Sequence, residues 1–205
     1  MKSIYTNGVS DMRRLVQVVS TAVIMAGAIG ASAPALSETG NDQPMTAHAF
    51  QFEAIDGGNI NLSDFKGKAV LVVNTASRCG FTRQYDGLET LWLDYQDKGL
   101  IVLGVPSNDF GGQEPGTEKE IKSFCEVNFN ITFPMTSKQN VKGNQAHPFY
   151  QWVSGKAGMM GKPRWNFHKY LINPDGELDS WFASTTSPDS EKIRQAIESV
   201  LAKQS

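Results

Sequence analysis

The apolar positions of this chain change period several times, and each change marks an element. From Phe50 to Leu62 they alternate with polar ones: Phe50-Gln51-Phe52-Glu53-Ala54 and Ile60-Asn61-Leu62 flank Asp56-Gly57-Gly58, which predicts a β-hairpin. Val70 to Val73 form an unbroken aliphatic run, the pattern of a strand covered on both faces. Within 85–98, Leu88, Leu91, Trp92 and Tyr95 fall at helical spacing, and Gly99 supplies the stop. Leu100 to Val105 repeats the buried-strand pattern, and the Gly- and Pro-rich run 106–116 behind it predicts an irregular loop. Thr117 and Glu120 have the spacing of a capping box, opening a helix that carries Ile121, Phe124 and Cys125.

Two strand-then-helix units in series predict a parallel pair with a right-handed crossover. Beyond them, Ile131 to Met135 reads as a short strand interrupted by Pro134, His147-Pro148 as a cap and Pro148 to Val153 as a helical turn, and 154–163 as a loop. Tyr170-Leu171-Ile172, the turn Asn173-Pro174-Asp175-Gly176 and Glu177 to Phe182 form a closing hairpin. A last helix is expected from Ser187, with Pro188 at its first position and Ile193, Ile197, Val200 and Leu201 on its inner face. The order is hairpin, βαβα, then ββα. It predicts an α/β domain with a central mixed sheet flanked by helices and preceded by an N-terminal β-hairpin, an arrangement that resembles the thioredoxin fold.

Ahead of that pattern the composition shifts. Lys2, Arg13 and Arg14 precede an apolar stretch, Leu15 to Ala33, and Ala33-Pro34-Ala35 supplies small residues at the positions a signal peptidase reads. Residues 1–35 are therefore expected to be an export signal removed after Ala35. Gln17, Ser20 and Thr21 make the stretch weakly apolar for a lasting membrane span, so no stable membrane association is expected. Residues 36–48 read as a flexible polar lead-in, and 49–205 as one domain. The expected location is the periplasm. Cleavage leaves 16 basic against 20 acidic side chains, a net charge near −4 that argues against a nucleic-acid partner. The three histidines lack ligand spacing, so no metal is called for. Arg78, Arg83 and Lys162 read as solvated surface charge.

Only two cysteines occur, Cys79 and Cys125. Cys79 lies just past the carboxyl end of the first buried strand, ahead of a helix. That edge is where α/β sheets carry their sites, and a helix start favours thiolate over thiol. Two readings stay open from position alone: a reactive thiolate, or half of a permanent bridge to Cys125. The absence of Cys-x-x-Cys counts against a disulfide reductase.

Several segments together carry a resemblance: Asn74-Thr75-Ala76-Ser77-Arg78-Cys79-Gly80-Phe81-Thr82, Tyr85-Asp86-Gly87-Leu88-Glu89, Asn108-Asp109-Phe110-Gly111-Gly112-Gln113-Glu114-Pro115-Gly116 and Trp165-Asn166-Phe167. In this order they are similar to the signatures of the glutathione peroxidase family, from about Phe50 to Ala202. The resemblance implies hydroperoxide reduction by a peroxidatic cysteine at Cys79, aided by Gln113, Trp165 and Asn166. An amide and an indole N–H are neutral donors suited to a thiolate and a departing hydroxide. It further implies that Cys125 is a resolving cysteine, that no cofactor is needed, and that the reductant is a thioredoxin-like protein, with glutathione the poorer donor. The short segment between Tyr150 and Trp165 implies a monomer. Two positions depart from the pattern: Ser107 stands where many members have another cysteine, and Asp109 where a glutamine is usual. The competing reading is a redox relay or accessory protein whose Cys79–Cys125 disulfide is transferred or structural.

Overall fold

The computed structural model describes residues 44–203; the export signal read in residues 1–35 lies outside them. The strand β3 (Ala69–Thr75) is buried at every position, as its aliphatic run requires. It pairs in parallel with β4 (Leu100–Pro106), also buried throughout, and on its other side antiparallel with β5 (Lys169–Ile172). β6 (Leu178–Phe182) closes the sheet against β5, giving the order β4-β3-β5-β6. The mixed central sheet is the one the apolar pattern predicts.

Alternate residues of the strands feed two cores, because successive side chains point to opposite faces. Leu71, Val73, Val102 and Leu171 face α1 (Gln84–Tyr95), α2 (Glu118–Phe129) and α4 (Glu191–Ala202), meeting Leu88, Leu91, Ile121, Ile193 and Ile197. Val70, Val72, Leu103 and Tyr170 face α3 (Pro148–Ala157) and the separate hairpin of β1 (Gln51–Glu53) and β2 (Asn59–Asn61), meeting Phe52, Phe149 and Val153. The helix stripe read from spacing is confirmed: Leu88, Leu91 and Tyr95 are buried and Gly99 takes a left-handed φ of 98°. So are the caps. Thr117 and Glu120 form the reciprocal box, and the His147 ring accepts the Phe149 N–H at 3.2 Å.

Four expectations need correction. The loop expected over 154–163 is partly helical, α3 running on to Ala157 and Met159–Gly161 forming a 3₁₀ turn. Ile131 to Met135 is not a strand: Pro134 removes a donor, and only single bridges form, Gly104 with Met135 and Ala54 with Thr136. The last helix starts at Glu191 with Ser190 as its N-cap. Ser187 to Ser190 instead make a turn in which the Ser190 N–H donates to the Ser187 carbonyl at 3.1 Å. Finally, the chain is packed from Ala47, which is buried in a short 3₁₀ turn and donates its N–H to the Gly176 carbonyl at 2.7 Å.

Because α4 holds to the sheet by a narrow stripe of Ile193, Ile197 and Val200, removing one of them leaves a void that the sheet cannot fill. Ile197→Ala is expected to lower stability by about 2–5 kcal/mol, read as a lower urea midpoint at unchanged slope.

Candidate active site

β3 ends at Thr75, and the chain turns through Ala76, Ser77 and Arg78 to Cys79 before α1 begins at Gln84. Cys79 is thus several residues ahead of the helix rather than at its first turn. Its sulfur accepts one backbone N–H, from Phe81 at 3.4 Å, and the Thr82 hydroxyl donates to its carbonyl. The thiol is free and 7% exposed.

The turn is fixed by the loop that follows β4. The Arg78 N–H donates to the Gln113 carbonyl at 3.0 Å, and the Ser77 N–H and hydroxyl both donate to the Glu114 carboxylate at 2.8 and 3.0 Å. Glu114 is buried, and burial raises its pKa even against the two Ser77 bonds. The loop is itself closed by the Asn108 side chain, which accepts the Glu114 N–H at 2.9 Å. Lys138 reaches the Glu114 and Gly116 carbonyls.

Trp165 and Asn166 arrive from the segment before β5, and Asn74 holds that segment. Its amide donates to the Trp165 carbonyl at 3.1 Å, its N–H to the His168 carbonyl, and its carbonyl accepts the Phe167 N–H at 2.6 Å. Phe167 adopts a left-handed φ of 65°, a conformation that costs a non-glycine residue on the order of 1–3 kcal/mol. Its ring is fully buried, edge-on to Tyr85 with centroids 5.3 Å apart, so packing maintains the strained backbone.

Two of the four residues assigned to the catalytic group, Asn166 and Gln113, meet directly, and Trp165 packs on the loop that carries Gln113. The Asn166 amide, wholly buried, donates to Gln113 Oε1 at 2.9 Å and to the Phe110 carbonyl at 3.4 Å. With its oxygen occupied, Gln113 turns its NH₂ away from Asn166. The Trp165 ring lies tilted against Phe110, 6.0 Å between centroids, and comes within 3.5 Å of where a Gly111 Cβ would project. At 39% exposure Trp165 is no core tryptophan. Cys79 joins this trio through the backbone, one residue from the Arg78–Gln113 bond.

Cys125 lies on α2, buried and free in the same core cluster as Cys79, and lines a groove of about 510 Å³ with Ile55, Ile131, Phe133 and Met135. Burial, with Glu114 and Glu126 adding to it, pushes its thiol up to about 11, while the Tyr85 phenol facing it pulls the other way. The departures from the family pattern are structural joints. Ser107 is buried, donates its N–H to the Thr75 carbonyl and accepts the Asp109 N–H on its hydroxyl. Asp109 accepts the Val141 and Lys142 N–H groups at 2.6 and 3.2 Å. Arg78, Arg83 and Lys162 are exposed, as their reading as surface charge requires. Sequence reasoning missed Asn74 and Glu114 as supports of the site. Asn74 had a signal, a polar side chain ending an otherwise apolar run.

The chain and its fold are similar to several known proteins. The family model described as glutathione peroxidase matches residues 47–154. The glutathione peroxidase-like peroxiredoxin gpx1 of Schizosaccharomyces pombe is 47% identical over 148 residues, 71% of this chain and 92% of the relative. The hydroperoxy fatty acid reductase gpx1 of Synechocystis is 42% identical, covering 76% of this chain and 96% of its own. Among solved structures, Trgpx in apo form superposes with a TM-score of 0.63 at 37% identity, over 78% of this chain and 97% of its own. T. cruzi GPX1 gives 0.64 at 30% identity, over 77% and 97%. A thiol:disulfide interchange protein from Chlorobium tepidum, 17% identical with a TM-score of 0.58, shares the fold.

The raised Cys125 pKa has a sign that can be checked. The native state keeps a proton that the unfolded chain gives up from about pH 9, so the contribution is whole below that and is lost as pH rises to about 11. Stability of the parent should therefore fall across pH 9–11 by up to about 2–3 kcal/mol more than that of Cys125→Ala, measured by denaturant titration at each pH.

Proposed function

The chain belongs to the glutathione peroxidase family, whose members are peroxidases, and on that premise we propose that it reduces hydrogen peroxide and organic hydroperoxides through Cys79 as part of an oxidative-stress response. The observation that carries the reading is the bond of Asn166 to Gln113, whose own backbone is bonded to the residue before Cys79, with the Trp165 ring beside the same loop.

The Cys79 thiolate attacks one peroxide oxygen, so that an S–O bond forms as the O–O bond breaks. The departing oxygen takes a proton and leaves as water or alcohol, and Cys79 is left as a sulfenic acid. Gln113 and Trp165 supply neutral donors at the developing negative charge, with no cation whose strength would be spent on the ground state, and Asn166, both of whose amide hydrogens are bonded, orients Gln113 by the Gln113 oxygen. Cys125 then attacks the Cys79 sulfur, releasing water and forming a disulfide. A thioredoxin-like protein returns both electrons, and glutathione is the poorer donor. Sulfur carries the two-electron change, so the cycle needs no bound cofactor. The protein works as a monomer in the periplasm, after removal of its signal near Ala35; the signal-like composition of residues 1–35 supports this location.

Peroxide consumption driven by a thioredoxin system tests the cycle. Cys79→Ser should abolish it, and Cys125→Ser should lose thioredoxin-driven turnover while still forming one sulfenic acid per chain. Equal turnover by Cys125→Ser and the parent would eliminate the two-cysteine cycle. Gln113→Ala is expected to slow the first step by about 10²-fold. Sequencing the N-terminus of protein recovered from the periplasm should read from Leu36.

A further inference from the structure

Lys169 is the first residue of β5 and is completely buried. Its ammonium has three N–H bonds and meets three oxygens: Gln84 Oε1 at 2.6 Å, the Phe167 carbonyl at 2.7 Å and the Thr186 carbonyl at 2.9 Å. None is a carboxylate, and the ion pairs of the described residues do not include it. Burial alone lowers its pKa, to about 7. Next to it, His168 is held neutral by burial and by the Lys169 charge, its pKa lowered to about 4.

A buried charge with only neutral partners is an inefficient way to fill a core, where an apolar chain of the same length would pack without the desolvation penalty. What the ammonium does that an apolar chain cannot is join three segments of different origin. Gln84 is the first residue of α1, five positions beyond Cys79. Phe167 is the left-handed residue directly after Asn166. Thr186 lies in the turn before α4, and Gln84 also donates to the neighbouring Ser184 carbonyl at 2.7 Å. The strained peptide that presents Trp165 and Asn166 is thus fixed from two sides, by Asn74 through the Phe167 N–H and by Lys169 through the Phe167 carbonyl.

We propose that Lys169 is a positioning residue for the peroxidatic step: by clamping the Phe167 carbonyl to the start of α1, it holds the donors of Trp165 and, through Asn166, of Gln113 in place relative to Cys79. This rests on the peroxidase reading given above. Lys169 does not touch the reacting atoms. Its loss should therefore leave the nucleophilicity of Cys79 intact and weaken only the reaction that needs those donors.

Two second-order rate constants of Cys79 distinguish these effects in the full-length mature protein, one with hydrogen peroxide and one with iodoacetamide, whose iodide leaving group makes no use of the amide and indole donors. In Lys169→Met the peroxide rate should fall about tenfold or more while alkylation stays within about twofold, since a displacement of about 1 Å in a catalytic group is enough for losses of that order. Gln84→Met, which removes one acceptor from a half-buried site and spares the ammonium, should show the same split to a smaller degree, and covers the case in which Lys169→Met does not fold. Equal losses in both rates, or an unchanged peroxide rate in folded Lys169→Met or in Gln84→Met, would overturn the proposal. A parent whose Cys79 reacts with peroxide no faster than free cysteine would overturn the peroxidase reading itself, and this inference with it.

Discussion

Asn74 carries a constraint on which the rest of the site depends. It is the penultimate residue of the most buried strand, and it must satisfy a foreign segment's backbone without water: the Trp165 carbonyl, the Phe167 N–H and the His168 carbonyl. Backbone groups buried without partners each cost about 1–3 kcal/mol; the Asn74 backbone answers the Phe167 N–H and the His168 carbonyl, and its side chain answers the Trp165 carbonyl where the ladder with β5 ends. Its single unpaired atom is the amide oxygen. Asn166 repeats the arrangement, fully buried with its NH₂ bonded and its oxygen unpaired. The site is therefore assembled from buried amides, and an apolar replacement at either position would orphan its neighbours.

The two loops that meet at Cys79 are held in different ways. The loop after β4 is tied by side chains to backbone: Asn108 to Glu114, Glu114 to Ser77, Lys138 to the Glu114 and Gly116 carbonyls. The segment before β5 is held by strain and packing, with a left-handed Phe167 whose ring is locked against Tyr85. Bonds to charged groups contribute roughly twice what neutral ones do. These ties and the packed Phe167 hold Gln113 and Asn166 in contact, which is the preorganisation that stabilising a developing charge requires.

Much of this was legible before any coordinates. The four-strand sheet, the α1 stripe, the capping box at Thr117 and the turn after β3 follow from apolar period and turn chemistry, which act locally. Local rules fail where long-range partners decide. Ile131 to Met135 has strand composition, yet with Pro134 in it the segment meets the outer edge of β4 only in an isolated bridge at Gly104. Pro188 suits a first helical position, yet the chain spends Ser187 to Ser190 turning before α4. Trp165, by composition a core residue, is half exposed, and Lys169, by composition a surface residue, is wholly buried. Both exceptions lie within two residues of Phe167. A strained backbone inverts the usual inside and outside preferences around it, and no periodicity in the sequence signals that.

The same physics sets the two cysteines apart. Cys79 sits in a turn with a backbone N–H on its sulfur and polar loops beside it, whereas Cys125 is packed on α2 among Ile121, Ile131 and Phe133, its thiol pushed up to about 11. At neutral pH such a thiol is ionised in only about one molecule in ten thousand. In the proposed cycle this imposes an order of events. While Cys125 stays in the apolar core it cannot compete with Cys79 for peroxide, because the thiolate is the nucleophile. Burial thus keeps Cys125 out of the peroxide step and leaves it as a thiol for the disulfide step of the proposed cycle.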